Sequence, residues 1–217
     1  MNKLLRFSVP ALLSVLAFGA SAPLAFAAAP TFTASRTAVN TIVLTFNENV
    51  TGTAIPNSFT VVGASSVTNT AVASSTSVTL TTTGLTATDG TPAVNYVAAV
   101  GDIINDTLEE VADGGAVSAS DQVAPALVVT MDDTDLNVGD TALVTFTFSE
   151  APTGFTTADV TVGSGAIGTI DATNPLVQTA TFTPDDNFET LPRDRTDGTN
   201  VISVGTGWTD SAANAPS

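Results

Sequence analysis

Thr141-Ala-Leu-Val-Thr-Phe-Thr-Phe-Ser-Glu150 alternates residue by residue. Leu143, Thr145, Thr147 and Ser149 fall on one side, and Val144, Phe146, Phe148 and Glu150 on the other. A two-residue period built from β-branched and aromatic side chains belongs to a strand with one buried face and one wet face. The stretch has an earlier echo. Thr45-Phe-Asn-Glu-Asn-Val-Thr-Gly52 aligns with Thr147-Phe-Ser-Glu-Ala-Pro-Thr-Gly154 at a constant offset. A strand running into a Glu-x-x-Thr-Gly turn is thus written twice, so the chain reads as two copies of one β module.

Working outward, strands are expected at 31–36, 41–48, 59–62, 66–72, 77–81, 94–97 and 116–120 in the first copy. In the second they are expected at 127–130, 141–150, 159–162, 167–170, 177–182 and 200–204. They recur every ~8–12 residues with Gly, Pro, Asn and Asp between them, the spacing of sandwich strands. No segment beyond the first 27 residues carries a helical period. The fold class is all-β: two tandem antiparallel β-sandwiches, 28–121 and 122–217, after an N-terminal signal peptide at 1–27. The long acidic stretch 102–115 reads as a surface loop, and Asp121-Gln-Val-Ala-Pro125 as the linker.

Val100-Gly101 also matches Val204-Gly205, and Asp106 matches Asp210, at a single offset. On that alignment Asn214 pairs with Glu110 and Ser217 with Asp113, so the second copy stops before the counterpart of strand 116–120. The chain is therefore expected to be a fragment of a longer repeat protein, its second sandwich lacking the last strand. The alternative is an open edge filled by a partner's strand.

Met1-Asn-Lys-Leu-Leu-Arg6 is a short basic start, 7–19 is an apolar run, and Ala25-Phe-Ala27 offers a small-x-small cleavage pattern. This is the order of a secretory signal peptide, and the run is shorter than the ~20 residues that span a bilayer. No membrane span is expected after cleavage. Loss of Lys3 and Arg6 moves the formal charge from −16 to −18, leaving Arg36, Arg193 and Arg195 against 21 carboxylates. Such a chain has no means of gripping nucleic acid or an anionic membrane, but its carboxylates can meet cations. Cysteine and histidine are absent, which removes disulfides, Ser-His-Asp and Cys-His catalysis, and imidazole metal sites.

Both copies resemble bacterial Ig-like repeats of S-layer proteins and large surface adhesins. Thr41-Ile-Val-Leu-Thr-Phe-Asn-Glu48 with Phe59-Thr-Val-Val62 and the acidic 102–110 stretch is similar to the S-layer kind. The 140–150 strand, Thr153-Gly-Phe155, Asp159-Val160, Ala180-Thr-Phe-Thr-Pro184, Asn200-Val-Ile202 and Gly207-Trp-Thr-Asp-Ser-Ala-Ala-Asn214 resemble the adhesin kind. The likeness covers nearly all of the mature chain. One departure is Ala213, where the family usually has glycine. The resemblance implies a secreted, non-catalytic spacer or lattice-forming module at the cell surface. Its partners would be neighbouring Ig-like repeats or copies of itself. The alternative is an adhesin segment that recognises a carbohydrate or protein ligand through its loops.

Candidate chemistry rests on carboxylates. In an Ig-type sandwich the second-to-third and sixth-to-seventh strand loops share the end at which the chain enters. That places Glu150, Asp210 and the linker's Asp121 together, with Glu48 and Asp106 as the first copy's pair. Either a hard cation such as Ca²⁺ bridges the three, or each is solvated at its own loop tip. Asp133-Thr-Asp-Leu-Asn137 has part of the spacing of a calcium loop, but Gly139 is one place late and Val144 stands where glutamate belongs. The acidic 184–198 loop holds Asp185, Asp186, Asn187, Glu189, Asp194 and Asp197 beside Arg193 and Arg195. A glycosidase would set paired carboxylates in an aromatic-walled cleft, whereas the chain has one Trp and one Tyr, both expected to cap the core. Asn49-Val-Thr51 and Asn105-Asp-Thr107 fit the N-glycosylation pattern.

Overall fold

A computed structural model describes residues 28–52, 58–69, 72–98, 103–112, 114–136, 139–185 and 201–217. The expected leader and its cleavage site, Asn137, and the acidic loop beyond Asp185 with Arg193 and Arg195 lie outside the described residues.

The first half runs β1 (Phe32–Ala38), β2 (Thr41–Gly52), β3 (Phe59–Val61), β4 (Ser66–Asn69), β5 (Val72–Thr83), β6 (Ala93–Tyr96), β7 (Ile104–Asn105), β8 (Val117–Ser118) and β9 (Ser120–Asp121). One sheet has the order β4-β5-β2-β1-β9, with β7 also on β2, and the other has the order β3-β6-β8. The second half runs β10 (Leu127–Met131), β11 (Ala142–Phe148), β12 (Val160–Val162), β13 (Ala166–Ile167), β14 (Val177–Thr183) and β15 (Ile202–Val204). Its sheets are β10-β11-β14-β13 and β12-β15. The two halves thus repeat one wiring: β10, β11, β12, β13, β14 and β15 stand where β1, β2, β3, β4, β5 and β6 do. β8, which pairs with β6, has no counterpart beside β15 among the described residues.

The alternation that organises the sequence organises the packing. On β11, Ala142, Val144, Phe146 and Phe148 are buried, while Leu143 is 44% exposed. Val144, Phe146 and Phe148 meet Val160, Ala180, Phe182 and Trp208 in one core. On β2, Ile42, Leu44, Phe46 and Val50 meet Val78, Leu80, Phe59, Val94 and Tyr96 in another. Each buried Leu, Ile, Val or Phe contributes roughly 1.5–3 kcal/mol relative to exposure. Edge-on aromatic contacts tie the second core together: Phe148 lies 5.0 Å from Phe155 and 5.2 Å from Trp208. The Trp208 indole donates to the Gly205 carbonyl at 3.0 Å. The Tyr96 hydroxyl accepts the Ile103 amide at 3.0 Å and donates to Glu110 at 3.3 Å. Both rings belong to cores, as expected.

The structure corrects several boundaries. The stretch 102–115 is not simply a surface loop: it carries β7 on the edge of β2 and buries Ile103 and Val111. Its few apolar side chains are too sparse among acids to show a period. Residues 66–72 are not one strand, because β4 ends at Asn69 and Val72 already belongs to β5. The strand at 167–170 ends at Ile167, although Gly168 and Asp171 still hydrogen-bond to Thr181 and Thr179 of β14. Asp121 is not in a free linker. It ends β9, which runs parallel to β1 with Ser120 opposite Ser35 and Asp121 opposite Arg36.

Two substitutions on β11 test the face assignment. Phe146→Ala should cost about 3–5 kcal/mol through cavity formation. Leu143→Thr, one face over, should stay within about 0.5 kcal/mol. Urea midpoints of the two variants check this, and equal losses would refute the assignment.

Candidate metal centre

The same two-residue period continues past Phe148. Ser149 turns outward and Glu150 inward, so a carboxylate is delivered to the rim of the core, where it is only 7% exposed. A bridge between Thr153 and Thr209, with N–O distances of 2.6 and 3.0 Å, holds the loop after β11 against the segment after Trp208. Asp210, 2% exposed, follows at once. The parallel β1–β9 pair brings Asp121 in from the first half, 9% exposed. Carboxylate oxygens of Asp121, Glu150 and Asp210 lie within 4.8 Å of one another. The three residues expected to converge do so.

Two of the three carboxylates are held by their own turns. Asp210 Oδ1 accepts the amides of Ala212 and Asn214 at 2.8 and 2.9 Å, and Oδ2 accepts Asn214 Nδ2 at 2.8 Å. Asp121 Oδ1 accepts the Val123 amide at 3.0 Å. Asn214 Nδ2 also lies 3.3 Å from the carbonyls of Asp121 and of Val123, tying the last turn to the start of the second half. Glu150 is different: its Oε1 is buried with no hydrogen-bond partner. Thr82 Oγ1 and Gln178 Oε1 are the other such atoms among the described residues, and neither belongs to an ionisable group.

Burial, then the charges of Asp121 and Asp210, push the Glu150 carboxyl up to about 7, and Arg36 opposes them only weakly. Arg36 is fully buried and is the one basic side chain among the described residues. Its guanidinium spends its donors on the carbonyls of Val39, Thr86 and Ala87. Three inward-facing acids thus converge while the guanidinium of the one described basic residue is bonded to carbonyls.

A set of carboxylate oxygens without imidazole or thiolate suits a hard cation. Calcium takes 6–8 oxygens at about 2.3–2.6 Å, so oxygens on opposite sides of the ion stand up to about 5 Å apart. The separation of the three carboxylates fits that span. Other acidic stretches do not converge this way among the described residues. Asp133 Oδ1 accepts the Asp135 amide at 2.9 Å in a local exposed turn.

The first half corrects the repeat alignment by one residue. Asn105, not Asp106, stands where Asp210 does. Asn105 Oδ1 accepts the amides of Thr107 and Glu109 at 3.0 and 2.8 Å, two and four residues on, as Asp210 Oδ1 does. The amides of Asn105 and Asp210 donate to the carbonyls of Glu109 and Asn214. Leu108 and Ala213, three residues after each, share the left-handed backbone at φ 65° and 68°. Asn214 therefore matches Glu109, and Asp106 is exposed. Asn105 is 2% exposed and its oxygen is fully engaged, so a buried turn residue replaces the glycosylation reading there. The glycine expected at 213 is explained as well: the backbone at Ala213 is one that L side chains rarely adopt.

Ala213→Gly should therefore raise stability by up to about 1 kcal/mol, read from the urea midpoint. The raised carboxyl at Glu150 fixes a pH dependence. The folded state holds its proton more tightly than the unfolded chain, so this group favours folding fully below the ordinary value of 4.5. That advantage is lost as pH rises through about 7. In chelator, midpoints measured across that window should fall with pH, and Glu150→Gln should flatten the fall. A wild-type profile that rises there would refute the assignment.

A search of the curated proteins and a search of the solved structures found no match to the chain. A model of a bacterial Ig-like domain family matches residues 121–217. The matched segment begins at Asp121 and contains Glu150 and Asp210, so the whole carboxylate cluster falls inside the part of the chain that is similar to the bacterial Ig-like domain.

Proposed function

We propose that this chain is an exported, non-catalytic structural module of a bacterial surface protein of the S-layer or adhesin-like kind. Its tandem Ig-like sandwiches, 28–121 and 122–217, meet at a joint stiffened by Ca²⁺ on Asp121, Glu150 and Asp210. The observation that carries the reading is the buried, unpartnered Glu150 Oε1 facing two further carboxylates where the halves meet. An ion there supplies the missing partner and neutralises the cluster. The bacterial Ig-like match supports a surface role. Lack of histidine and cysteine throughout the chain fits a protein that carries no nucleophile–base pair. The large apolar side chains exposed among the described residues are Val62, Leu108, Val128, Leu143, Val177 and Val201. None is aromatic, so among the described residues no exposed ring favours the ligand-binding alternative.

An ion that binds the folded state alone stabilises it by mass action, about 2.7 kcal/mol at a hundred times its dissociation constant. Titrating Ca²⁺ during thermal unfolding should raise the midpoint, and Asp121→Ala should blunt the rise. An unchanged wild-type midpoint at millimolar Ca²⁺ would overturn the reading.

A further inference from the structure

The two halves carry the same corner with different chemistry. In the second half Glu150 faces the Asp210 carboxylate, and Glu150 Oε1 has no partner. In the first half Glu48 Oε2 accepts Asn105 Nδ2 at 3.2 Å. The two turns otherwise agree, down to the amides their side-chain oxygens accept and the left-handed residue three places on. The backbone reads only that oxygen, which Asn and Asp share. The other terminal atom differs, an NH₂ donor in one and a second oxygen in the other, and it is the atom available to the neighbouring glutamate.

We infer that the residue at this turn position selects the corner's ligand: asparagine closes it with an internal amide–carboxylate hydrogen bond, and aspartate leaves it open for a cation. Asn105 makes the first half's corner self-sufficient, and Asp210 makes the joint cation-dependent. The inference rests on the reading of the joint as a cation site. Asp210→Asn can be accommodated locally. The substituted side chain would keep its Oδ1 for the amides of Ala212 and Asn214, and its NH₂ would face Glu150. Asn214 Nδ2 would surrender its bond to Oδ2 of residue 210 and draw back from the new NH₂, toward the carbonyls of Asp121 and Val123 that it already faces at 3.3 Å.

The test is urea unfolding of the full chain, in EGTA and in millimolar CaCl₂, with Ca²⁺ affinity from calorimetry. Asp210→Asn should unfold at higher urea than wild type in EGTA, and its affinity for Ca²⁺ should fall at least about tenfold, the loss of one charged ligand. The reciprocal Asn105→Asp should lower the midpoint equally with and without Ca²⁺, because that corner would face two carboxylates without the third that Asp121 supplies at the other. Glu48→Gln added to it should restore the midpoint by returning one donor to the pair. An Asp210→Asn protein that is no more stable in EGTA, or that fails to fold, overturns the inference, as does a neutral Asn105→Asp. A wild type insensitive to Ca²⁺ but stabilised in EGTA by Asp210→Asn removes the cation site and leaves the amide closure standing.

Discussion

The constraint on which this structure depends is the parity of an extended strand. Side chains on β11 alternate faces without exception, so the register that buries Val144, Phe146 and Phe148 also sends Glu150 inward. On β2 the same parity carries Ile42, Leu44 and Phe46 into the core and sets Glu48 on that side, facing Asn105. A slip of one residue would relieve the carboxylate and expose the whole aromatic row. The core therefore holds the acid at its rim, and the chain around the rim must answer an inward negative charge. The two halves answer differently, one with an amide and one with two more carboxylates.

Much of the fold was legible in the residues, because alternation and turn chemistry act locally. The long strands 41–48 and 141–150, the burial of Trp208 and Tyr96, and the convergence of Asp121, Glu150 and Asp210 follow from period, spacing and topology. What escaped depends on atoms that leave no pattern. Matching Asp106 to Asp210 puts acid on acid, whereas the turn responds to a side-chain oxygen that asparagine supplies equally well. Ile103 and Val111 are buried as isolated residues within an acidic stretch. Asn214 acts through backbone carbonyls, to which a sequence offers no pointer.

Arg36 shows the same limit. It is fully buried and spends its donors on the carbonyls of Val39, Thr86 and Ala87, pinning the 3-10 turn at Ala87–Asp89 to β1. That turn closes on itself, Thr86 and Asp89 bonding reciprocally, and the Thr86 bonds hold the Asp89 carboxyl below its ordinary range. Gly90 then passes close to Asp121, so a Cβ there would lie 3.8 Å from Asp121 Oδ2. The guanidinium thus fixes the turn that runs on to Gly90 beside Asp121.

The parallel pairing of β9 with β1 has a mechanical meaning. The two strands run the same way, so pulling the start of β1 and the end of β9 apart draws them past each other. Their contacts are the registered pairs Ser35–Ser120 and Arg36–Asp121, the hydroxyl contact between Ser120 and Ser35 at 3.1 Å, and the Gln122 amide on the Arg36 carbonyl at 2.9 Å. Under such tension these bonds are loaded together in shear, whereas an antiparallel hairpin opens them one at a time. Resistance to stretching then depends on the rate at which the clamp gives way rather than on equilibrium stability. Asp121 is the last residue of β9 and the first acid of the cluster, so tension leaving the first half passes beside the three carboxylates.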